Sequence, residues 1–303
     1  MKKFLIWILS IVSIVAIADI LLGRFAKWYA ANNDLGGDYT SFDYIMKNFD
    51  DDLLILGNSV SLNSLDAGMM TDSLGVECYN GAINAQTLPF FLTELDVALK
   101  SHTPKIIALG LRPHEFDEGG MGERFNFLAP YYGIGYSSID EDLEKAASSK
   151  KFLLKSNLYR FNTIWFRILL YRFITPNEVG DRGFIAKPIP TQFPKLITDN
   201  LGDSCVAPER IGQFEEIIRK CKDNNIELIV FFPPEYRRFD GIPPTLSVAD
   251  SICCRYGVPL INDLSHPRFI NDSTLFYDNN HLNADGAKIY TNLFIDYVRK
   301  SIK

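Results

Sequence analysis

The stretch Asp51-Asp52-Leu53-Leu54-Ile55-Leu56-Gly57-Asn58-Ser59 decides the fold. Its apolar run, Leu53 to Leu56, reads as a short strand that leads straight into Gly57-Asn58-Ser59, and a helical pattern follows from about Val60 to Leu74. A strand, a tight turn and a helix in that order place Ser59 at the C-terminal edge of a parallel sheet. Open α/β folds bind their ligands at that edge, where backbone N–H groups at a helix start face an incoming anion. Taken alone, the segment is equally satisfied by Ser59 as an ordinary N-cap.

The alternation continues along the chain. Strands are expected near Glu77 to Asn80, Lys105 to Leu109, Glu227 to Phe232 and Val258 to Asn262, and helices near Leu88 to Lys100, Pro208 to Lys222, Thr245 to Tyr256 and Ala284 to Ser301. The stripe Ile211, Phe214, Ile217, Ile218 and Cys221 gives one of these helices an apolar face to pack on the sheet. Strands alternating with helices of this length predict an α/β fold, a three-layer α/β/α sandwich around a parallel sheet. One long insertion, about 117–201, interrupts it, and specificity is expected there because loops from the C-terminal sheet edge surround Ser59.

The insertion is rich in aromatic residues, among them Phe125, Phe127, Tyr131, Tyr132, Tyr136, Tyr159, Trp165 and Phe166. In the helix expected over Leu153 to Phe173 these rings are read first as core, with a sugar-stacking platform as the alternative. Lys155, Arg160, Arg167 and Arg172 on the same helix also allow a basic amphipathic helix resting on lipid headgroups. Gly119-Gly120-Met121-Gly122 reads as a flexible start to the insertion, suited to a lid hinge.

Ser59 gains partners near the C-terminus, in Asp278-Asn279-Asn280-His281-Leu282-Asn283. Serine is a poor nucleophile at neutral pH; it needs an imidazole to take its proton and a carboxylate to hold that imidazole in the right tautomer. A D-x-x-H just before a helix can fold back so that the carboxylate meets one ring nitrogen while the other faces a nucleophile. The same spacing also suits an Asp closing a turn beside a surface His. Of the other histidines, His102 precedes Pro104 and the third strand, at the wrong edge of the sheet. His114 and His266 follow strands and can approach the right edge, and Asp263 with His266 is the competing pair.

These blocks resemble those of the SGNH (GDSL-type) hydrolases, a family holding many esterases, lipases and carbohydrate O-acyl transferring enzymes. The resemblance covers most of the chain after about residue 50. Gly57-Asn58-Ser59 is similar to the family's G-D-S block with Asn in place of Asp, and D-x-x-H-L-N followed by Ala284-Asp285-Gly286-Ala287 is similar to its last block. The resemblance implies an SGNH/flavodoxin-like sandwich in which Ser59 is the nucleophile, His281 the base and Asp278 the orienting acid. Val76-Glu77-Cys78-Tyr79-Asn80-Gly81-Ala82-Ile83-Asn84-Ala85 occupies the place of the second block, where Ala85 aligns with an oxyanion-binding glycine. Only a backbone N–H is needed there, so Ala is expected to serve with φ negative. Ile106-Ile107-Ala108-Leu109-Gly110-Leu111-Arg112-Pro113 occupies the place of the third block and puts Arg112 where an oxyanion-binding Asn is expected. Arg can bind an oxyanion or a substrate carboxylate but cannot reproduce a short amide donor, which makes Asn80 and Asn84 candidate replacements.

The chain has 303 residues, 47% hydrophobic and 22% charged, enough for one large α/β domain with an insertion. A formal net charge of -6, without a basic patch, zinc-finger spacing or glycine-rich phosphate loop, argues against nucleic-acid partners. Five cysteines, an odd number without C-x-x-C spacing, suggest neither a disulfide framework nor a metal site. A serine triad calls for no cofactor.

At the N-terminus Lys2-Lys3 precede an apolar run from Phe4 to Leu22, interrupted by Ser10, Ser13 and Asp19 and long enough to span a bilayer. Residues 1–25 are read as an uncleaved signal anchor in preference to a peptide cut after Ala16-Ile17-Ala18, because the apolar run continues through Ile20-Leu21-Leu22. Residues 26–50 are then a linker and 51–303 the SGNH-like domain. With the short N-terminus inside, the expectation is a single-pass inner-membrane protein whose domain faces the periplasm or cell exterior. The family resemblance and this location together imply a serine esterase or O-acyltransferase acting on acyl groups, acetyl foremost, of cell-surface glycans. The expected partners are the membrane, a glycan or acyl-ester substrate and a membrane-bound acyl-donor protein. The departures at Ala85 and Arg112 keep open a noncatalytic envelope protein that binds polysaccharide or an assembly partner.

Overall fold

The computed structural model describes residues 1–117, 125–170, 180–201 and 205–301. In its first part the chain runs α1 (Lys2–Asn32), α2 (Asp38–Lys47), β1 (Leu53–Leu56), α3 (Ser59–Leu62), α4 (Ala67–Leu74), β2 (Cys78–Asn80), α5 (Leu88–Ser101) and β3 (Ile106–Gly110). There follow α6 (Ser137–Ala147), α7 (Asn157–Arg160), α8 (Asn162–Leu170), β4 (Ile197–Asp199), α9 (Pro208–Asp223), β5 (Glu227–Phe232), β6 (Arg237–Phe239), α10 (Pro244–Tyr256), β7 (Leu260–Asn262), α11 (Pro267–Ile270) and α12 (Ala284–Ser301). Two compact units form, Met1–Thr40 with Arg124–Glu178 and Ser41–Glu123 with Val179–Lys303.

The second unit is built on a five-stranded parallel sheet in the order β2-β1-β3-β5-β7. Counting only these five strands, that is the 2-1-3-4-5 order of doubly wound folds, whose ligand crevice opens where the winding reverses beside the first strand. β1 lies inside the sheet, next to the edge strand β2, with Leu53 opposite both Cys78 of β2 and Ile106 of β3. All four of its residues are wholly buried, which is why it reads as an unbroken apolar run. Leu53 and Ile55 belong to a cluster with Tyr290, Phe294 and Val298 of α12 and Met70 of α4. Leu54 and Leu56 point the other way by strand alternation, toward the layer in which α5 packs on α9. Helices therefore cover both faces of the sheet, giving the three-layer α/β/α arrangement. A second sheet, β4 paired parallel with β6, draws one strand from the 117–201 insertion.

Strand and helix ends differ from the sequence reading by a residue or two. The single helix expected from Val60 to Leu74 is the exception, for it is split into α3 and α4. The split is enforced from outside: the Asn80 amide donates to the carbonyls of Ser61, Leu62 and Leu65, taking acceptors that a continuous helix would use. Asp66 then restarts the chain as the N-cap of α4, accepting from the Met69 N–H. The stretch 26–50, read as linker, carries the last turns of α1 and all of α2.

In the first unit the helix expected over Leu153 to Phe173 is likewise broken. A 3₁₀ segment, Ser148–Lys155, ends at Ser156, whose extended backbone and hydroxyl cap α7 before α8 begins. Phe161, Ile164 and Ile168 are buried as the core reading requires, whereas Phe166 is 69% exposed. The basic face is also redistributed. Arg160 is buried and donates to the Tyr132 carbonyl and Asn157, and Arg167 donates to the carbonyls of Leu35 and Gly36, so neither presents a free cation to headgroups. Arg172, Phe173 and the Gly119-Gly120-Met121-Gly122 hinge lie outside the described residues. α1 is long and apolar enough to cross a membrane.

Phe294 is wholly buried, with ring centroids 4.9 Å from Phe231 and 6.3 Å from Tyr290. Phe294→Ala is expected to remove about 3–5 kcal/mol of stability. The urea midpoint of the full chain in detergent, followed by near-ultraviolet circular dichroism, measures this directly.

Candidate active site

The turn after β1 is a steric construction. Gly57 takes φ +152°, and a side chain there would run into Ser61 and the carbonyl oxygen of Gly110. Gly110, at the end of β3, is bare for the same reason, since a Cβ would meet the Ser61 hydroxyl and the Phe231 ring. Ser61 therefore fills the notch between the two strand ends, and Ser59 is carried to the open side. Asn58 caps α3 by accepting from the Val60 N–H at 3.0 Å. The N-cap is thus Asn58, one residue before Ser59, and the Ser59 hydroxyl stays available.

That hydroxyl meets His281. Ser59 Oγ lies 2.8 Å from His281 Nε2, and both Asp278 carboxylate oxygens lie 2.9 Å from His281 Nδ1. The carboxylate holds the proton on Nδ1 and leaves the Nε2 lone pair to accept from the serine. Partial burial pushes the Asp278 carboxyl up, but the His281 ring and the N–H groups of Asn280 and His281 outweigh it and bring it down to about 2. Asp278 is accordingly an anion across the physiological range.

The loop that bears this pair is pinned on several sides. Tyr277 N–H donates to the His281 carbonyl, Phe276 and Leu282 form an antiparallel bridge, and the Asn279 amide donates to the carbonyls of Lys195 and Tyr236. Asn283 is wholly buried; it accepts from Asp285 and Gly286 N–H and donates to the Thr274 carbonyl, which fixes the start of α12. Between Asp278 and His281, the Asn280 side chain is held by Arg237. Arg237 also pairs with Asp199 at 2.7 Å and Glu235 at 2.8 Å. Burial pushes the Glu235 carboxyl up to about 7, against the pull of Arg237, Arg112 and His114.

Arg237, Glu235, Asp199 and Asn280 went unnoticed in the sequence. Glu235 and Arg237 are charged residues that follow the buried apolar strand β5 closely, and Asn280 lies inside the D-x-x-H loop. What could not be read was that β4 would carry Asp199 to β6.

The remaining candidates divide. Asn80 is wholly buried and its amide is committed to three carbonyls, with its Oδ1 accepting from Ala82, so it is a scaffold residue and not an oxyanion donor. Asn84 and Ala85 are half-buried in the loop after β2. Ala85 has φ +55°, contrary to the negative value expected of it. That is glycine's territory, and an alanine held there carries roughly 1–2 kcal/mol of strain. Arg112 approaches the buried Glu115 at 3.4 Å, and the Asn58 amide donates to the same Glu115 oxygen at 3.2 Å. An ionised Asp at position 58 has no donor with which to make that bond.

His114 is engaged at both ring nitrogens, by Asp117 at 2.8 Å and Asp199 at 3.2 Å, and so does not serve Ser59. Burial lowers its affinity for a proton, but the two carboxylates outweigh this and raise it. His266 caps α11 by accepting from the Arg268 N–H, and Asp263 accepts from Tyr297, so the competing pair forms no dyad. Burial pushes the thiols of Cys78, Cys221 and Cys253 up to about 12, which makes them poor nucleophiles. Among the described residues no cluster of His, Cys, Asp and Glu could hold a metal ion.

No family model and no curated protein matches the sequence. Among solved structures, the chain is similar to a psychrotrophic esterase from Pseudoalteromonas sp., at 13% identity and a TM-score of 0.44, covering 84% of this chain and 99% of that one. It is similar to a GDSL-like lipase from Bacteroides thetaiotaomicron at 12% identity and a TM-score of 0.41, covering 82% and 88%. A lipase/acylhydrolase from Enterococcus faecalis aligns at 11% identity and a TM-score of 0.35, covering 82% and 95%. Likeness at this level says nothing of activity, which is read from the side chains alone.

Asn58→Asp is expected to place a second carboxylate against buried Glu115. Mutual repulsion would raise both folded-state pKa values, so the loss, about 1–3 kcal/mol, is greatest at high pH and shrinks as pH falls. Urea midpoints of wild type and variant at about pH 8 and about pH 5 test the sign.

Proposed function

We propose that this chain is a membrane-anchored serine esterase or O-acyltransferase that works through an acyl-enzyme on Ser59. The hydrogen-bonded line from Ser59 through His281 to Asp278 carries the proposal. Nothing in the packing of the fold requires a half-exposed serine, a histidine and an ionised carboxylate to be aligned at the reversal point of the sheet.

The chemistry follows from the geometry. His281 Nε2 takes the Ser59 proton as Oγ attacks an ester carbonyl carbon, and the Asp278 carboxylate stabilises the imidazolium that forms. Collapse of the tetrahedral intermediate breaks the bond to the leaving alcohol, which receives the proton from His281. In the second half, water or a glycan hydroxyl gives its proton to His281 and attacks the acyl-enzyme, releasing an acid or a new ester. The intermediate's oxyanion needs donors. The Ser59 N–H, in the first turn of α3, and the Ala85 N–H are proposed for this, with the Asn84 amide beside them. Arg112, only partly covered and steadied by Glu115, is proposed to attract an anionic group of the substrate.

Acetyl groups on cell-surface glycans are the proposed substrates, with the domain on the periplasmic or extracellular side of the inner membrane. The apolar helix α1, long enough to cross a membrane, supports the membrane attachment in this reading. A membrane-bound acyl-donor protein is the proposed partner if transfer predominates.

A fluorophosphonate probe is expected to label Ser59 in the purified full chain, as read by intact mass and peptide mapping. Ser59→Ala and His281→Ala should abolish labelling, and Asp278→Asn should slow p-nitrophenyl acetate turnover about 10⁴-fold by releasing the wrong tautomer. A folded wild-type chain that takes up no probe would overturn the proposal.

A further inference from the structure

Asp19 is a carboxylate within the apolar run of α1, and the first unit closes around it. Its Oδ1 accepts from the Ser156 hydroxyl at 2.6 Å and the Leu158 N–H at 2.8 Å; its Oδ2 accepts from the Asn157 N–H at 3.1 Å and the Asn157 amide at 3.2 Å. A carboxylate at membrane depth is tolerable only with partners of this kind. Counting 1.5 Å per residue from Phe4, Asp19 stands about 22 Å along the helix, within a hydrocarbon layer of about 30 Å. Residues 156–158 reach the same depth.

The packing on α1 agrees. Residues 1–17 are exposed without exception, and the buried positions are Gly23 and Ala26. A side chain at Gly23 would overlap Asn157, so this glycine permits the close approach, as small residues do between helices in lipid. An open groove of about 560 Å³, apolar but for Asp19 and Ser156 at one side, runs between Ile11, Val12, Val15 and Ile20 of α1 and Leu158.

The neighbouring surface is apolar with a basic fringe. Phe152, Phe166 and Leu169 are 65%, 69% and 65% exposed, and Trp165 stacks on Phe25 of α1 at 6.2 Å. Lys150, Lys151 and Lys155 flank Phe152 and are exposed, the arrangement by which lysine stems lie on apolar surface while their amines reach anionic headgroups. From the bonds to Asp19, the bare groove and this apolar surface, we infer that residues 148–170 are seated in the lipid of the bilayer that α1 crosses, with an acyl chain in the groove. The first unit then meets the membrane through a broad face and not through one helix alone. This rests on the anchor reading of α1.

The test uses the full chain in phosphatidylethanolamine–phosphatidylglycerol nanodiscs, with the exposed thiols removed as Cys205→Ser and Cys254→Ser. Phe152→Cys and Phe166→Cys, and Glu141→Cys in acidic α6 as control, are labelled with an environment-sensitive nitrobenzoxadiazole dye. The labels at 152 and 166 are expected to be quenched by nitroxides on lipid chains and shielded from a water-soluble quencher, with the reverse at 141. Quenching from water alone at all three positions, in a chain whose intact mass retains residues 1–32, overturns the inference and leaves the anchor standing. An intact mass showing cleavage after Ala18 removes the anchor reading itself.

Discussion

Two strand ends that nearly touch govern this molecule. β1 and β3 finish side by side, and the space between them admits the Ser61 side chain only because positions 57 and 110 have none. The Gly57 backbone must then take a left-handed extended turn, and that turn lifts Ser59 clear of the sheet. A methyl group at either glycine would force Ser61 or the Gly110 carbonyl aside and carry the serine with it. Because β1 is an internal strand, with partners on both sides and helices over both faces, the turn has little freedom to relax.

Around this rigid point the chain assembles charges that it must then satisfy. Glu115 is wholly buried, and burial drives its carboxyl up against the pull of Arg112. The Asn58 amide supplies the donor that an ionised aspartate could not. On the other side Arg237 gathers Glu235, Asp199 and Asn280, linking the small β4–β6 sheet to the loop that holds Asp278 and His281. The proposed triad is thus steadied by two polar networks, one behind the serine and one behind the histidine, coupled through the pull of Arg112 on Glu235. Buried networks of this kind specify geometry more than they add stability.

The strain at Ala85 belongs to the same picture. A non-glycine residue in the left-handed region persists only where its surroundings over-determine it, and such residues gather at sites that position a ligand. Its neighbours in sequence are held: Ala82 by Asn80 and Ile83 by the Gly57 carbonyl. The loop after β2 is tied to the nucleophile turn through that last bond, so the proposed oxyanion donors and the serine share one backbone frame.

What the sequence by itself determined are the features that depend on local pattern. The apolar runs of β1, β3 and β5 read as buried strands, the stripe on α9 reads as a face that packs on a sheet, and D-x-x-H brings a carboxylate within reach of its own imidazole, although the same spacing also suits a plain turn. The run from Phe4 to Leu22 marks a candidate membrane span for the same reason, since nothing but composition is needed. Tertiary structure decided the rest. Ser59 and His281 stand 222 positions apart and meet only because sheet order brings their two loops to one edge. The break between α3 and α4 comes from an amide on β2, the sign of φ at Ala85 from the frame around it, and the role of Arg237 from a strand within the insertion. Each depends on a partner distant in sequence, and local pattern carries no record of which distant group will arrive.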